Sequence, residues 1–195
     1  SAASDVYKRQ ILNEASADSI NGIVPRKSIN EILKLVNDES ENVVIKLGTS
    51  SIPVDVSGTK FVSKLIEGKF PDYEQVIPSG ESSLLVLDKK IFSDSLSRVS
   101  VLSSEKYKGV RIIVKNNSVN ISANNPEKEQ GEENISCKYG GEDIDIAFNV
   151  NYLQEILSTI GTANVEINFF GADKSCLITE PNNDKIKYVV MPLLI

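Results

Sequence analysis

The chain has 195 residues, of which 41% are hydrophobic, and a formal net charge of −6 from 21 basic and 27 acidic side chains. It contains no histidine, and its two cysteines lack metal-ligand spacing, which excludes a Ser/His/Asp triad, a Cys/His pair and a four-thiolate zinc site. The acidic balance argues against nucleic-acid binding by bulk positive charge, so a DNA contact would have to be local, weak or topological.

The composition also bears on compartment. No apolar run is long enough to cross a bilayer, and the start of the chain shows no secretory signal pattern, so a reducing, cytoplasmic compartment is expected. Cys137 and Cys176 lie in apparent strands and are predicted to be buried free thiols.

Residues 1–19 show neither helical nor strand periodicity, and they are predicted to be an irregular leader whose native origin is left open. Beyond them, a pattern of strand, helix and three strands occurs three times, which indicates an internal repeat. The first module has a strand at 20–24, a helix at 26–37 that opens after Pro25, and strands at 42–47, 52–56 and 59–66.

The second and third modules follow a connector at residues 70–78, where Pro71 and Pro78 prevent a central strand from continuing. The second module has a strand at 84–87, a helix at 89–102 and strands at 110–115, 119–123 and 133–139. The third module has a strand at 143–148, a helix at 150–160 and strands at 165–169, 175–179 and 187–191.

Each module carries an apolar sheet face that its single helix cannot cover, so two modules should pair around one core. The second and third modules can do so across Gly140 and Gly141. The first has no partner in the sequence, so a longer parent protein is expected to supply one. The expected fold class is α+β, with repeated βαβββ units whose helices lie on one face of antiparallel sheets.

Six ordered segments carry a family resemblance: VPRKSINEIL (24–33), SKLIEGKFPDY (63–73), SSEKYKGVRI (103–112), ISANNPE (121–127), AFNVNYL (147–153) and YVVMP (188–192). Together they resemble the bacterial β sliding clamp, the processivity subunit of the replicative DNA polymerase III, and give the chain the DNA clamp architecture. The resemblance implies the second half of the clamp's middle domain plus a linker for residues 20–78, and the C-terminal domain for residues 79–195.

Subunits of that family dimerise head to tail into a ring around double-stranded DNA, with no cofactor, metal or catalytic site. The resemblance therefore implies a bacterial, nucleoid-associated replication protein that is a homodimer at full length. Its expected partners are the DNA polymerase III catalytic subunit, the clamp-loader subunits and other proteins with a clamp-binding peptide of the QLxLF type. No ordinary ring is expected from this chain, because the usual partner surface lies in a domain that it lacks.

The resemblance also implies a hydrophobic pocket for that peptide. Gln75 and Leu194 stand where members of the family often have arginine, which makes this pocket less basic. Methionine suits an adaptable binding surface, while Val189 can equally be read as core of the last strand. The matching residues are Pro71, Gln75, Val76, Pro78, Tyr107, Asn149, Tyr152, Ser175, Val189, Val190, Met191, Pro192, Leu193 and Leu194.

Two further surfaces follow from the resemblance. Val101 and Leu102 match the family's apolar subunit contact, although packing at a helix end would explain them equally well. The DNA-facing surface of the family is its ring of helices, and a solvated polar helix face would explain the same charges. The DNA-facing candidates are Arg26, Lys27, Lys34, Lys90 and Arg98.

Two other functions stay open at this point. Glu142, Asp143 and Asp145 could serve a carboxylate-dependent metal nuclease or phosphoryl-transfer domain, while a solvated loop and an exposed strand face explain them without a metal. The same holds for the acidic run at 127–133. A purely structural repeat domain is the third interpretation.

Overall fold

The computed structural model describes residues 6–10, 22–36, 42–68, 73–104 and 108–193. The chain separates into two compact units, which we call the N-terminal unit (Asn13–Asp72) and the C-terminal unit (Tyr73–Ile195 together with Ser1–Leu12). None of the helices within the described ranges has the length and apolar character that crossing a membrane requires.

The elements follow the three predicted modules. After β1 (Val6–Gln10), the first module contains α1 (Arg26–Leu35), β2 (Val43–Ile45), β3 (Ser51–Val56) and β4 (Thr59–Lys64). A short 3-10 helix, Tyr73–Gln75, precedes the second module, which has β5 (Ser83–Asp88), α2 (Lys89–Ser100), β6 (Gly109–Lys115), β7 (Ser118–Asn124), β8 (Gln130–Ser136) and β9 (Lys138–Tyr139). The third module has β10 (Ile144–Asn149), α3 (Val150–Thr159), β11 (Asn164–Phe169), β12 (Cys176–Glu180) and β13 (Asn183–Val190).

The N-terminal unit has a small core around the central strand of its sheet, which has the order β2-β3-β4. Residues of β3 alternate between half-buried and buried, as expected of a strand with one covered face. Its inward side chains Ile52, Val54 and Val56 pack with Ile32 and Leu35 of α1. One face of a three-stranded sheet is thus covered by a single helix.

The C-terminal unit is built from two antiparallel sheets that exchange strands. The smaller sheet has the order β10-β6-β7-β8, and the larger has the order β1-β13-β12-β11-β5-β9. The first strand of the third module, β10, therefore pairs with β6 of the second module. The first strand of the second module, β5, pairs with β11 of the third. Each sheet thus contains strands from both modules, which confirms the predicted pairing of the second and third modules. The mixture of antiparallel sheets and helices confirms the α+β class.

One apolar core joins the two sheets and the two helices of the C-terminal unit. Each helix begins where a strand ends, at a side-chain cap that satisfies an exposed backbone N–H. Asp88 Oδ1 accepts a hydrogen bond from Ile91 N at 2.9 Å, and Asn149 Oδ1 accepts one from Asn151 N at 3.0 Å. The buried helix positions are Phe92, Ser95, Leu96 and Val99 of α2 and Val150, Leu153, Ile156 and Leu157 of α3.

The structure corrects three strand predictions. Of the predicted strand 20–24, the described residues 22–24 contain only an isolated antiparallel bridge between Ile23 and Ile66. The segment 6–10, predicted to be irregular, forms β1 and pairs with β13 from Val6–Val190 to Gln10–Ile186. The rest of the predicted leader lies outside the described residues. The predicted strand 133–139 is two strands, since the chain leaves the small sheet after β8 and joins the large sheet as β9.

Asn117 binds the segment in which the chain passes from β8 in the small sheet to β9 in the large sheet. Its carbonyl oxygen accepts from Cys137 N at 2.9 Å, and its Oδ1 accepts from Tyr139 N at 2.8 Å. Asn117 has φ of +60°, in the left-handed region that asparagine tolerates better than most residues. The turn between β6 and β7 therefore fixes the point at which the chain changes sheet.

Candidate functional site

The end of the last strand is where the predicted peptide pocket begins. Val189 and Val190 are only 1% and 0% exposed, so both belong to the packed interior and offer almost no surface to a ligand. Met191, the next residue, is 40% exposed, and Pro192 and Leu193 are half-buried. The accessible part of this predicted segment thus starts at Met191.

The tail beyond β13 is held against β10. Leu193 N donates to the carbonyl oxygen of Ala147 at 2.8 Å, as an isolated antiparallel bridge. Asn149, which caps α3, lies two residues further along the same strand. The bridge therefore brings Leu193 to the strand that leads directly into α3.

Strand register brings a second group of predicted residues to the same end. Cys176 is paired with Val190 at the end of the ladder, and Ser175 and Met191 are the next residues beyond this last antiparallel pair. Tyr152 lies in the first turn of α3, just after the Asn149 cap, and is half-buried like Ser175. We call the described residues Asn149, Tyr152, Ser175, Met191, Pro192 and Leu193 the C-terminal ledge.

The remaining pocket residues are on or near the connector. Val76 and Pro78 are half-buried, and Gln75 is exposed at the end of the 3-10 helix. All three belong to the C-terminal unit, as the ledge does. Pro71, Tyr107 and Leu194 lie outside the described residues, so their place in the pocket stays a prediction.

Most of the basic side chains predicted to face DNA are engaged with acidic neighbours. Lys34 Nζ lies 2.8 Å from Glu31 Oε1, and Lys90 Nζ lies 2.5 Å from Asp94 Oδ2. Arg98 donates from both Nε and Nη2 to the carboxylate of Glu133, the latter at 2.7 Å. Among the described residues, Arg26 and Lys27 are exposed and form no ion pair.

The predicted subunit contact lies beside a sheet edge. Val101 is 78% exposed, whereas Leu102 is half-buried and lies against Gly131, where an added Cβ would be 3.1 Å from Leu102 Cδ1. Gly131 belongs to β8, which in the described part of the chain pairs on one side only, with β7. Leu102 is thus partly a packing residue against β8, while Val101, the residue before it, has an exposed apolar side chain.

Comparison with known proteins assigns a family domain to most of each unit. Residues 6–72 match the model of the DNA polymerase III beta subunit, central domain, and residues 74–194 match that of the DNA polymerase III beta subunit, C-terminal domain. The chain belongs to the DNA polymerase III beta subunit family. The central-domain match begins inside the predicted leader, at the residue where β1 begins.

Relatives in this family are named beta sliding clamps. The chain is 42% identical over 178 residues to that of Pseudomonas aeruginosa, and 33% identical over 178 residues to that of Escherichia coli. These alignments cover 91% of this chain and 48% and 49% of the two relatives. The chain therefore spans about half the length of the curated relatives that it matches.

Solved beta-subunit structures share the fold. The P. aeruginosa DNA polymerase III subunit beta superposes with a TM-score of 0.87 at 41% identity, over 92% of this chain and 50% of that one. A P. aeruginosa sliding clamp bound to griselimycin gives 0.84 at 41% identity, over 89% and 47%. The C. crescentus clamp, with polyethylene glycol bound to a putative beta-motif tethering region, gives 0.92 at 29% identity, over 98% and 52%. The predicted clamp architecture is confirmed by these matches.

The beta-subunit fold here also contains a groove that the sequence did not reveal. It has a volume of about 590 Å³ and lies on the outer face of the small sheet. Leu193 is its one lining residue that was predicted for the peptide pocket, so the groove and the C-terminal ledge only adjoin. The sequence signal that could have indicated the groove is the small residues that line it, such as Gly109 and Ala147. A glycine within a strand often marks a place where a ligand or another backbone approaches closely. Its other lining residues include Arg111, Ser122, Gln130 and Glu132.

Two of the carboxylates considered as metal ligands form ion pairs with basic side chains. Arg111 donates from Nε to Asp145 Oδ1 at 2.7 Å and from Nη2 to Oδ2 at 2.5 Å, which lowers the pKa of Asp145. Lys115 Nζ lies 3.0 Å from Asp143 Oδ2. Within the described ranges, no three His, Cys, Asp or Glu side chains form a group that could hold a metal. The ion pairs favour the exposed, charge-paired strand face over the nuclease interpretation.

The two cysteines are both free thiols, as predicted, but the predicted burial holds for Cys176 only and is wrong for Cys137. Cys176 is buried in the core, which raises the pKa of its thiol to about 12. Cys137 is only half-buried, and partial burial raises its pKa as well. Burial disfavours the thiolate at both positions, so neither cysteine has the lowered pKa typical of a reactive thiol.

The Arg98–Glu133 pair makes stability depend on acid pH. Hydrogen bonds from Arg98 and Ser95 lower the pKa of Glu133 to about 2. A carboxyl group with a depressed folded-state pKa stabilises the protein above its unfolded pKa, and this contribution is lost as the pH falls from about 4.5 to about 2. We expect Glu133→Gln to be less stable than the parent chain at pH 7, and the difference to shrink towards pH 2.

Urea unfolding at pH 7 and pH 2.5 measures this difference, with intrinsic tyrosine fluorescence as the signal. The chain has no tryptophan and six tyrosines, all within the ranges of the C-terminal unit, so fluorescence follows that unit alone. Arg98→Gln removes the other half of the pair and should reproduce the change. An equal stability difference at both pH values would show that the pair does not set the acid response.

Proposed function

We propose that this chain is part of a DNA sliding clamp of the bacterial replicative polymerase and that it docks partner peptides at the C-terminal ledge. The observation that carries the proposal is the exposed Met191 directly after three buried residues at the end of β13, with the tail bridged to β10 beside the start of α3. Ser175 adjoins the Cys176–Val190 pair at the same end. Val76 and Pro78 on the connector complete the apolar contact surface. Pro71, Gln75, Tyr107 and Leu194 belong to the same proposed site.

The ledge has the chemistry that an apolar peptide tail needs. A methionine side chain is flexible and polarizable, so it can adapt to leucine and phenylalanine side chains from different partners. The ledge sits on strand ends and a helix start rather than on a loose loop, which lowers the entropy cost of binding. A relative that is 41% identical to the chain holds griselimycin, which supports a ligand pocket in this family. The proposed partners are the polymerase catalytic subunit, clamp-loader subunits and repair proteins.

Double-stranded DNA is proposed to pass the helix faces with weak contacts. Three ion pairs reduce the positive charge that the helices offer to phosphates: Lys34–Glu31, Lys90–Asp94 and Arg98–Glu133. The exposed side chains of Arg26 and Lys27 are available to contact phosphates. Each phosphate that a protein neutralises adds about one unit to the salt dependence of binding. A small number of available cations therefore suits a protein that must slide along DNA and not grip it.

The open edge of β8 is the proposed place of subunit contact in the full-length protein. An unpaired strand edge offers backbone N–H and C=O groups to a strand of another subunit. Val101 is 78% exposed and precedes Leu102, which packs against Gly131 of β8, so it would add an apolar side chain to the proposed contact. Head-to-tail closure of a homodimeric ring would use this edge. In this proposal the protein is an accessory subunit and not an enzyme.

A labelled peptide of the QLxLF type tests the proposed pocket by fluorescence anisotropy. We expect saturable binding to the chain and at least about tenfold weaker binding to Met191→Ala, since truncating a central apolar contact costs more than about 1.4 kcal/mol. Ile91→Ala, which trims a 52% exposed apolar residue on α2, is the matched control and should bind as the parent does. Binding that is absent at high micromolar concentration, or equal in both variants, would contradict the proposal.

A further inference from the structure

The sulfur atom of Met191 lies within the C-terminal ledge. Met191 is the one methionine of the sequence, and its side chain is 40% exposed directly after the three buried residues that end β13. It also lies beyond the last pair between β12 and β13, which joins Cys176 to Val190. The thioether is therefore open to small molecules in water, at a place where a chemical change need not disturb the sheet.

The two cysteine sulfurs of the chain are better protected from oxidants. Cys176 is 1% exposed in the core, and burial raises the pKa of its thiol to about 12. Cys137 is half-buried, and its pKa is raised for the same reason. Oxidation of cysteine follows exposure and thiolate content, so both thiols should react slowly at neutral pH. A thioether has no proton to lose, so its oxidation depends on exposure alone, and exposure favours Met191.

We propose that Met191 is an oxidation site, at which a hydroperoxide converts the thioether to a sulfoxide and so weakens the docking of partner peptides. The sulfur lone pair attacks one oxygen of the O–O bond, and that bond breaks as the S–O bond forms. The proton on the transferred oxygen passes to the departing hydroxide. Hydrogen peroxide is thus reduced to water while the thioether is oxidised. This inference rests on the proposed peptide-docking function.

The surroundings of Met191 offer little compensation to a sulfoxide under a bound peptide. Pro192, the next residue, has no backbone N–H, and Leu193 N already donates to the carbonyl oxygen of Ala147 at 2.8 Å. A docked leucine or phenylalanine side chain would bury the polar S–O group without giving it a hydrogen-bond donor. Burial of an unpaired polar group is unfavourable, so the oxidised ledge binds an apolar peptide tail less tightly.

The modification is chemically reversible. Methionine sulfoxide reductases remove the oxygen as water while two thiols are oxidised to a disulfide, which restores the thioether. Because Met191 is exposed at the end of a strand and not enclosed in the core, the reductase can reach it without unfolding the chain. Oxidation and reduction would therefore switch the ledge between a weakly binding and a tightly binding state.

Peroxide treatment of the full chain, followed by peptide mapping in a mass spectrometer and by fluorescence anisotropy, tests the proposal. We expect one added oxygen, located at Met191, and at least about fivefold weaker binding of a QLxLF-type peptide. Methionine sulfoxide reductase with dithiothreitol should restore the original affinity. Circular dichroism before and after treatment checks that the fold is unchanged.

Met191→Leu is the matched control, since leucine is apolar and has no sulfur. Each protein is compared with itself before and after peroxide, and the affinity of the variant should not change on treatment. Oxygen that is found at Cys137 and not at Met191 would overturn the proposal. So would an unchanged affinity of the oxidised parent, or an equal loss of binding in Met191→Leu. A chain that never binds the peptide would contradict the proposed function, and the mapped oxygen would still decide whether Met191 is the oxidation site.

Discussion

Replacing Phe92 with alanine is expected to destabilise the C-terminal unit by about 3–5 kcal/mol, the cost of deleting a buried aromatic side chain and leaving a cavity. Phe92 is 1% exposed and lies in the core that both sheets and both helices share. Its loss should therefore weaken the second and third modules together. The measurement is urea unfolding followed by tyrosine fluorescence, which reports on this unit.

Ile91→Ala is the control on the same helix, since its side chain is the next one along α2 and is 52% exposed. We expect its stability to lie within about 0.5 kcal/mol of the parent, as is usual for surface substitutions. Two separate fluorescence transitions for Phe92→Ala would contradict a shared core. A cost below about 1 kcal/mol would do so as well, because cavity formation at a packed site is much larger.

Adding one methyl group at Gly141 is expected to destabilise the same unit by about 1–3 kcal/mol, the usual cost of overpacking. A Cβ at this position would lie 2.8 Å from Tyr139 Oη and would overlap the side chain of Ser83. Tyr139 cannot easily retreat, because its hydroxyl donates to the carbonyl oxygen of Glu142 at 2.5 Å. The junction between the second and third modules therefore requires glycine here.

The neighbouring glycine provides the control. A Cβ at Gly140 would meet no atom within 4 Å, so Gly140→Ala should cost less than about 1 kcal/mol. The double variant Ser83→Gly with Gly141→Ala removes most of the overlap and should be more stable than the sum of the two single effects predicts. Equal unfolding curves for the two glycine variants would show that the junction is looser than the structure indicates.

Much of the fold could be predicted from local patterns. The apolar stripe Phe92, Leu96 and Val99 predicted α2, and the alternation in β3 and β6 predicted those strands, because burial on one face imposes these periods. Pairing of two modules followed from the need to cover an apolar sheet face. Which sheet each first strand joins could not be predicted, since β5 and β10 have the same alternation whichever neighbour they bond to.

The errors have physical causes too. Ile135, Cys137 and Tyr139 keep the same alternation through the change of sheet, so the period gives no sign of the break between β8 and β9. β1 joins the edge of the large sheet through backbone groups, which every residue other than proline offers. Neither the break between β8 and β9 nor the pairing of β1 changes the side-chain periodicity of the sequence.

The site was predicted less completely than the fold. Family resemblance named Met191 and Ser175, and both follow directly on the last pair between β12 and β13, Cys176 with Val190. It did not show that Val190 is core, because burial at a strand end depends on what packs over it. Nor could it show the Arg98–Glu133 pair, whose members are 35 residues apart in sequence and meet because β8 packs beside α2.

The central proposal is that the last strand of this chain is followed by a docking surface for partner peptides. Titration of the isotope-labelled chain with an unlabelled QLxLF-type peptide, followed by amide chemical shifts, tests it most directly. We predict that the shifts concentrate at the C-terminal ledge and at Val76, and that α1 and the solvent face of α2 stay unchanged. Shifts that spare Met191 and Ser175 while the peptide binds elsewhere would contradict the account.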